Sequence, residues 1–414
     1  MQKYLIIILL SYLFVQAIEF WLKLINLKYM KTHGKDIPPI FKGYVDESML
    51  KKIHAYTIEK SYFSVIKSLY GNALVLIFLF GGLLNIYNAW ISSLDLSFIF
   101  SGLIFFLLLS YGTTFLSIPF SLYDTFKIEN KYDFNAMTIK LWIIDFLKSL
   151  LLSTILIAIV LTVGLCLIQW SPIFWWVWVW IFYLIFSLFV MYISPYVIEP
   201  LFNKFTPIED ESLAQKIKEL LQRVGIQVSR VFKIDESKRS RHTNAYFSGF
   251  GKVKRIILYD TLLEKMDQGE LLAILSHEAG HWKKKHVLKL IIISEIISLA
   301  AIYISFRILQ TDILTNIFGI EHETFFAKVI ILGFLGSIIS FPLTPLGNYI
   351  SRRFEREADR FSIQLIGNKE NISTALIKLS KDNLSNLHPH PLYAAFYYSH
   401  PPVIERIETI NKFT

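Results

Sequence analysis

Cysteine is almost absent: the 414-residue chain has one, Cys166, inside an apolar run. That excludes a disulfide framework and a thiolate metal site, so any metal must be held by histidine and carboxylate. Charge is scarce as well, at 18% of residues, where soluble domains carry about a quarter. The net charge of +9 gathers on no single soluble face, which excludes a nucleic-acid partner. There is no internal repeat and no low-complexity segment. What is present is apolar: 54% of the chain is hydrophobic and 15% aromatic. This is the composition of an integral membrane protein.

Seven apolar runs are long enough to cross a bilayer, which takes about 20 helical residues. They are read as 4–26, 69–87, 97–118, 150–170, 174–194, 287–309 and 325–347. The first is too long for a signal peptide, carries Glu19 and lacks a small-x-small cleavage site, so it is read as a retained span. Lysines crowd the links 27–68 and 119–149, whereas 88–96, 171–173 and 310–324 have neither Lys nor Arg. Positive loops stay in the cytoplasm, which puts the N-terminus outside and the C-terminus inside.

Four regions follow: 1–195 with spans one to five, a polar insertion 196–286, spans six and seven at 287–347, and a cytoplasmic tail 348–414. Within the insertion, 211–225 has helical apolar spacing, and the β-branched 228–235 and 253–260 read as strands. "TNAYFSGFG" (243–251) is expected to be a third strand closed by a glycine turn. Asp267 and Glu270, three apart, mark a capping box at the start of a helix.

That helix carries "HEAGHW" (277–282). His277 and His281, four apart, lie on one helix face and can both reach one ion, with Glu278 beside the first. Taken alone, H-E-x-x-H also fits a chance match in an amphipathic helix. A third ligand is offered by "SRRFEREAD" (351–359), where Glu355 and Asp359 share a face and Glu357 points elsewhere. Glu355 suits the metal, and Asp359 suits the free N–H of a ligand histidine. The two motifs are separated by two spans, a hairpin that returns Glu355 to the membrane face of His281. Three protein ligands with one open place are the pattern of catalytic zinc. Glu295, eighteen residues past His277, is expected on the same face of a continuous helix. Glu19 and Lys23 fit either a wet chamber or a helix–helix ion pair.

The chain resembles the type 1 CAAX prenyl proteases, integral membrane zinc metalloendopeptidases. The resemblance is carried by "IPFSLYDTFKIENKYDFN" (118–135), "PLFNKFTPI" (200–208), "SKRSRHTNAYFSGFGKVKRIILYDTLL" (237–263), the two zinc motifs and "HPPVIERI" (400–407). It implies an α-helical membrane protein whose seven helices enclose a chamber, with a cytoplasmic metalloprotease domain containing a small β-sheet. It implies one Zn2+ per chain on His277, His281 and Glu355, Glu278 as general base, and His400 and Arg406 facing the reacting centre. The strand with Asn244, Ala245 and Tyr246 would pair with the peptide substrate, prenylated or otherwise membrane-associated. A monomer in the lipid bilayer is expected. The ending "TINKFT" lacks the basic retrieval tail of members in the endoplasmic reticulum. A bacterial inner membrane is therefore favoured, with the endoplasmic reticulum as the compartment of a eukaryotic source. An HtpX-like quality-control protease without prenyl specificity is the alternative enzyme, although such proteins have fewer spans. A transporter would leave the zinc residues unexplained.

Overall fold

The computed structural model describes residues 2–248 and 253–413. Seven helices within them are long and apolar enough to cross a membrane, the number read from the sequence. Their side chains point outward: Ile6, Trp170, Ile296 and Ile297 are all more than half exposed. Exposed apolar surface on this scale is stable only against lipid.

The helices run well past the apolar stretches. The second spans Glu47–Leu79, held at its start by Asp46, whose side chain accepts the Met49 N–H. The seventh runs from Phe325 to Ser340, turns through Phe341–Leu343 and continues as Thr344–Ile366. Pro342 and Pro345 explain the interruption, because a proline removes a helical N–H. A helix thus crosses the boundary expected at 347/348 and carries the seventh span directly to Glu355. Glu19 and Lys23 form an ion pair at 2.8 Å, with Lys23 also bonded to Ser68 on the second helix.

The polar insertion holds a four-stranded sheet: β1 (Phe205–Pro207), β2 (Gln227–Ile234), β3 (Ala245–Ser248) and β4 (Val253–Tyr259), in the order β1-β2-β4-β3. β2 and β4 are parallel, while β1 and β3 run antiparallel to their neighbours. The glycine turn expected at 249–251 lies outside the described residues. β3 pairs with β4 alone among the described residues, so it is an edge strand.

Helix Gln268–Lys283 packs on this sheet and starts at the capping box expected for Asp267 and Glu270. Glu270 is buried and takes Lys378 from helix Lys369–Asp382 at 2.7 Å. Leu271, Leu275 and Ala279, one turn apart, join Ile256, Leu258 and Leu262 in a common core. Each fully buried leucine contributes about 1.5–3 kcal/mol. A second face, Ser276 and Gly280, lies against Thr344–Ile366. The Ser276 hydroxyl meets that of Ser362. A Cβ on Gly280 would lie only 3.0 Å from the Ala358 Cα. The remaining face carries His277 and His281.

Candidate metal centre

The close crossing at Gly280 brings the two motifs together. His277 Nε2 lies 3.2 Å from His281 Nε2 and 3.3 Å from Glu355 Oε2, and His281 Nε2 lies 3.2 Å from Glu355 Oε1. One ligand atom from each of the three residues lies within 4.8 Å of the other two, close enough for a single ion bound at the ordinary zinc–ligand length of about 2.0 Å. Glu355 Oε2 is buried with no well-aligned hydrogen bond, although His400 Nδ1 is 2.9 Å away. Two imidazoles and one buried carboxylate turned toward a common point fit a divalent cation. The donor set of nitrogen and carboxylate oxygen suits zinc.

The groups behind the donors are equally ordered. His277 Nδ1 is 2.8 Å from Asp359 Oδ1. A carboxylate only accepts, so in the neutral ring the hydrogen sits on Nδ1 and the Nε2 lone pair is left for a metal. Arg406 braces Asp359 through two hydrogen bonds of 2.9 and 2.7 Å. Burial disfavours charge on His277, yet Asp359 and Glu355 outweigh it and push the imidazole up to about 9. The carboxylates that attract a proton there would attract a cation for the same reason.

A cavity of about 200 Å³ opens beside these donors. Glu278, His400 and Arg406 line it, as do Asn244 and Ala245 from the start of β3. Tyr246 does not; its hydroxyl donates to Glu199 at 2.6 Å. Asn383 lines this cavity and also a second one of about 410 Å³ bounded by Lys23, Asn26, Tyr56 and Lys60. The cavity beside the donors therefore adjoins a second space bounded by the first two spans.

Two sequence-based placements change. Glu295 does not join the site: its carbonyl accepts from Trp180 and its carboxylate from Ser298. The register assumed one helix from His277 onward, but Lys285 adopts φ 57° and breaks it before His286–Leu309. The same break places His286 against His281, with Nδ1 atoms 3.1 Å apart. Sequence reasoning passed over His286, because no helical spacing relates i to i+5 across an unsignalled turn. Glu357 is also closer to the site than its helix phase implied, 3.2 Å from His286 Nε2.

Known proteins are similar to this chain in sequence and in fold. Residues 26–204 match the family model described as CAAX prenyl protease N-terminal, five membrane helices. Residues 207–414 match that of peptidase family M48. The chain is 34% identical to CAAX prenyl protease 1 of Saccharomyces cerevisiae, over 93% of this chain and 90% of that protein. It is also 34% identical to the CAAX prenyl protease 1 homolog of Arabidopsis thaliana, over 91% and 90%. The crystal structure of S. mikatae Ste24p superposes with a TM-score of 0.91 at 31% identity, covering 99% of each chain.

Proposed function

We propose, for a chain that belongs to the type 1 CAAX prenyl protease family of M48 peptidases, that His277, His281 and Glu355 hold one zinc ion and Glu278 is the general base. The protein is a multi-pass membrane metalloendopeptidase acting on peptides. The HtpX-like alternative is not favoured, since residues 26–204 match the CAAX prenyl protease N-terminal model with its five membrane helices. The observation that carries the site assignment is the convergence of two imidazoles and one carboxylate, with contacts of 3.2 to 3.3 Å, beside Glu278 in one cavity.

Held by His277, His281 and Glu355, zinc would supply a Lewis acid for the scissile carbonyl and would make water more nucleophilic near neutral pH. Glu278 takes the proton from the attacking water and delivers it to the leaving amine. His400, largely exposed and next to Glu355, is positioned to donate to the oxygen that becomes negative. Arg406 keeps Asp359, and through it His277, in place, and adds positive charge behind the centre.

The peptide lies along β3. In the antiparallel β3–β4 pair Ala245 faces Leu258, and the Tyr259 N–H donates to the Asn244 carbonyl. Bonded and open pairs alternate, so Ala245 and Phe247 turn their backbone groups to the open edge. Asn244 Oδ1 covers the Ala245 N–H at 2.9 Å and would give way to a substrate. Tyr246 contributes only through the strand it stabilises. The natural substrate is a CAAX-type prenylated or otherwise membrane-associated peptide, its apolar part directed among the spans, and the active site faces the cytoplasm.

Glu278→Gln should keep stoichiometric zinc and lose about 10²–10⁴-fold in peptide cleavage; activity near wild type removes Glu278 from the mechanism. Matched peptides with and without a prenyl group should differ in kcat/KM, and equal rates would count against prenyl recognition. In a Cys166→Ser background, cysteines at Ser92 and Asn316 should label from outside. Outside labelling at Gln215 would reverse the proposed orientation.

A further inference from the structure

His277 and His281 are held from behind by different chemistry. Behind His277 stands a carboxylate, whereas behind His281 stands another imidazole. His286 is 1% exposed, with its ring parallel to that of Phe354 at 4.2 Å and 5°. Its Nδ1 lies 3.1 Å from His281 Nδ1 and its Nε2 lies 3.2 Å from Glu357 Oε2. Glu357 in turn accepts from Arg353 Nε at 3.2 Å.

Two facing ring nitrogens bond only if one carries hydrogen and the other a lone pair. Ionised Glu357 accepts only, so a hydrogen sits on His286 Nε2. Neutral His286 then presents a bare Nδ1, and the hydrogen in the contact comes from His281 Nδ1. His281 Nε2 is left with its lone pair, at the atom 3.2 Å from Glu355 Oε1. With the opposite tautomer, His281 would point an N–H at the cation.

We propose that His286, set by Glu357 and held flat by Phe354, is a positioning residue that selects the metal-binding tautomer of His281. The proposal rests on the zinc reading above and deepens it. It also accounts for the break at Lys285: the left-handed residue ends one helix and turns the first residue of the sixth span back beneath His281. The metal site is fastened to the membrane through that ring.

The test uses the full chain purified in detergent, with the zinc dissociation constant read by competition against a chromophoric chelator and folding followed by thermal melting. His286→Phe keeps a flat ring against Phe354 and removes the acceptor; zinc binding should weaken about 10–100-fold. His286→Asn restores an oxygen acceptor close to the Nδ1 position and should recover most of that loss. Unchanged affinity in His286→Phe, or equal loss in both variants, overturns the proposal. Should His286→Phe fail to fold, Glu357→Leu on the partly exposed neighbour reads the same relay. It should weaken zinc by a smaller factor without lowering the melting temperature, and unchanged affinity there also overturns the proposal. Failure of the zinc reading itself would appear differently, as an unaltered chain that binds no stoichiometric zinc.

Discussion

Two regions meet at the cavity and are built in opposite ways. The crossing of Gln268–Lys283 with Thr344–Ile366 is closed: Gly280 abuts Ala358, Ser276 meets Ser362, and Asp359 is locked by Arg406 and His277. The edge of β3 is open, its outward backbone groups unpaired by any strand among the described residues. Metal binding needs donors held to a few tenths of an ångström, which the packed helix pair supplies here. Peptide binding needs a surface that accepts many side chains, which an open strand supplies through its backbone. Rigidity and permissiveness are thus assigned to different secondary structures.

That division is broken most sharply at the crossing. Glu355→Ala removes the ligand proposed on helix Thr344–Ile366 and should abolish stoichiometric zinc, and cleavage with it. Metal analysis of the purified variant reads this directly. Retained zinc would mean that the third ligand lies elsewhere, and the closed region would lose its purpose. Glu357→Ala should fall between this variant and wild type, because Glu357 reaches the site only through His286.

Gly280→Ala tests the crossing without touching a ligand. Its new methyl would meet backbone of Ala358 at 3.0 and 3.1 Å, so the helices must separate slightly. Overpacking of this kind costs about 1–3 kcal/mol. A lower melting temperature should come with weaker zinc binding, since one approach sets both. If stability falls while zinc affinity stays constant, the packing and the ligand geometry are independent.

The sequence was most legible where a local period carries the information. His277 and His281, and Glu355 and Asp359, are each four apart, and that spacing alone placed both pairs on helix faces. The seven-span count and the β-branched β2 and β4 followed from pattern in the same way. β1 did not, being three residues long and ending at Pro207. Glu295 was misplaced because Lys285 turns left-handed with no glycine to announce it. His286 and Glu357 come together only through that turn and the helix crossing, which are tertiary facts. That β3 is an edge rather than a central strand was also beyond reach, because strand order is not written in strand composition.

The finest test lies on the open side. If the substrate adds as a strand beside β3, its backbone meets Ala245 and Phe247, and Tyr246 faces the other way. Alternate substrate residues near the cleaved bond then have an N–H in the ladder, and those between do not. Proline removes the N–H and restricts the preceding residue to extended conformations, which a strand already requires. A proline scan should therefore show losses with a period of two. A net hydrogen bond contributes about 0.5–1.5 kcal/mol, so each sensitive position should lose about three- to tenfold in kcat/KM. Backbone N-methylation at the same positions should reproduce the pattern without the ring. A flat scan would show that no strand pairing is used. Loss at every position would indicate a tight tunnel instead, and β3 would be as closed as the helix crossing beside it.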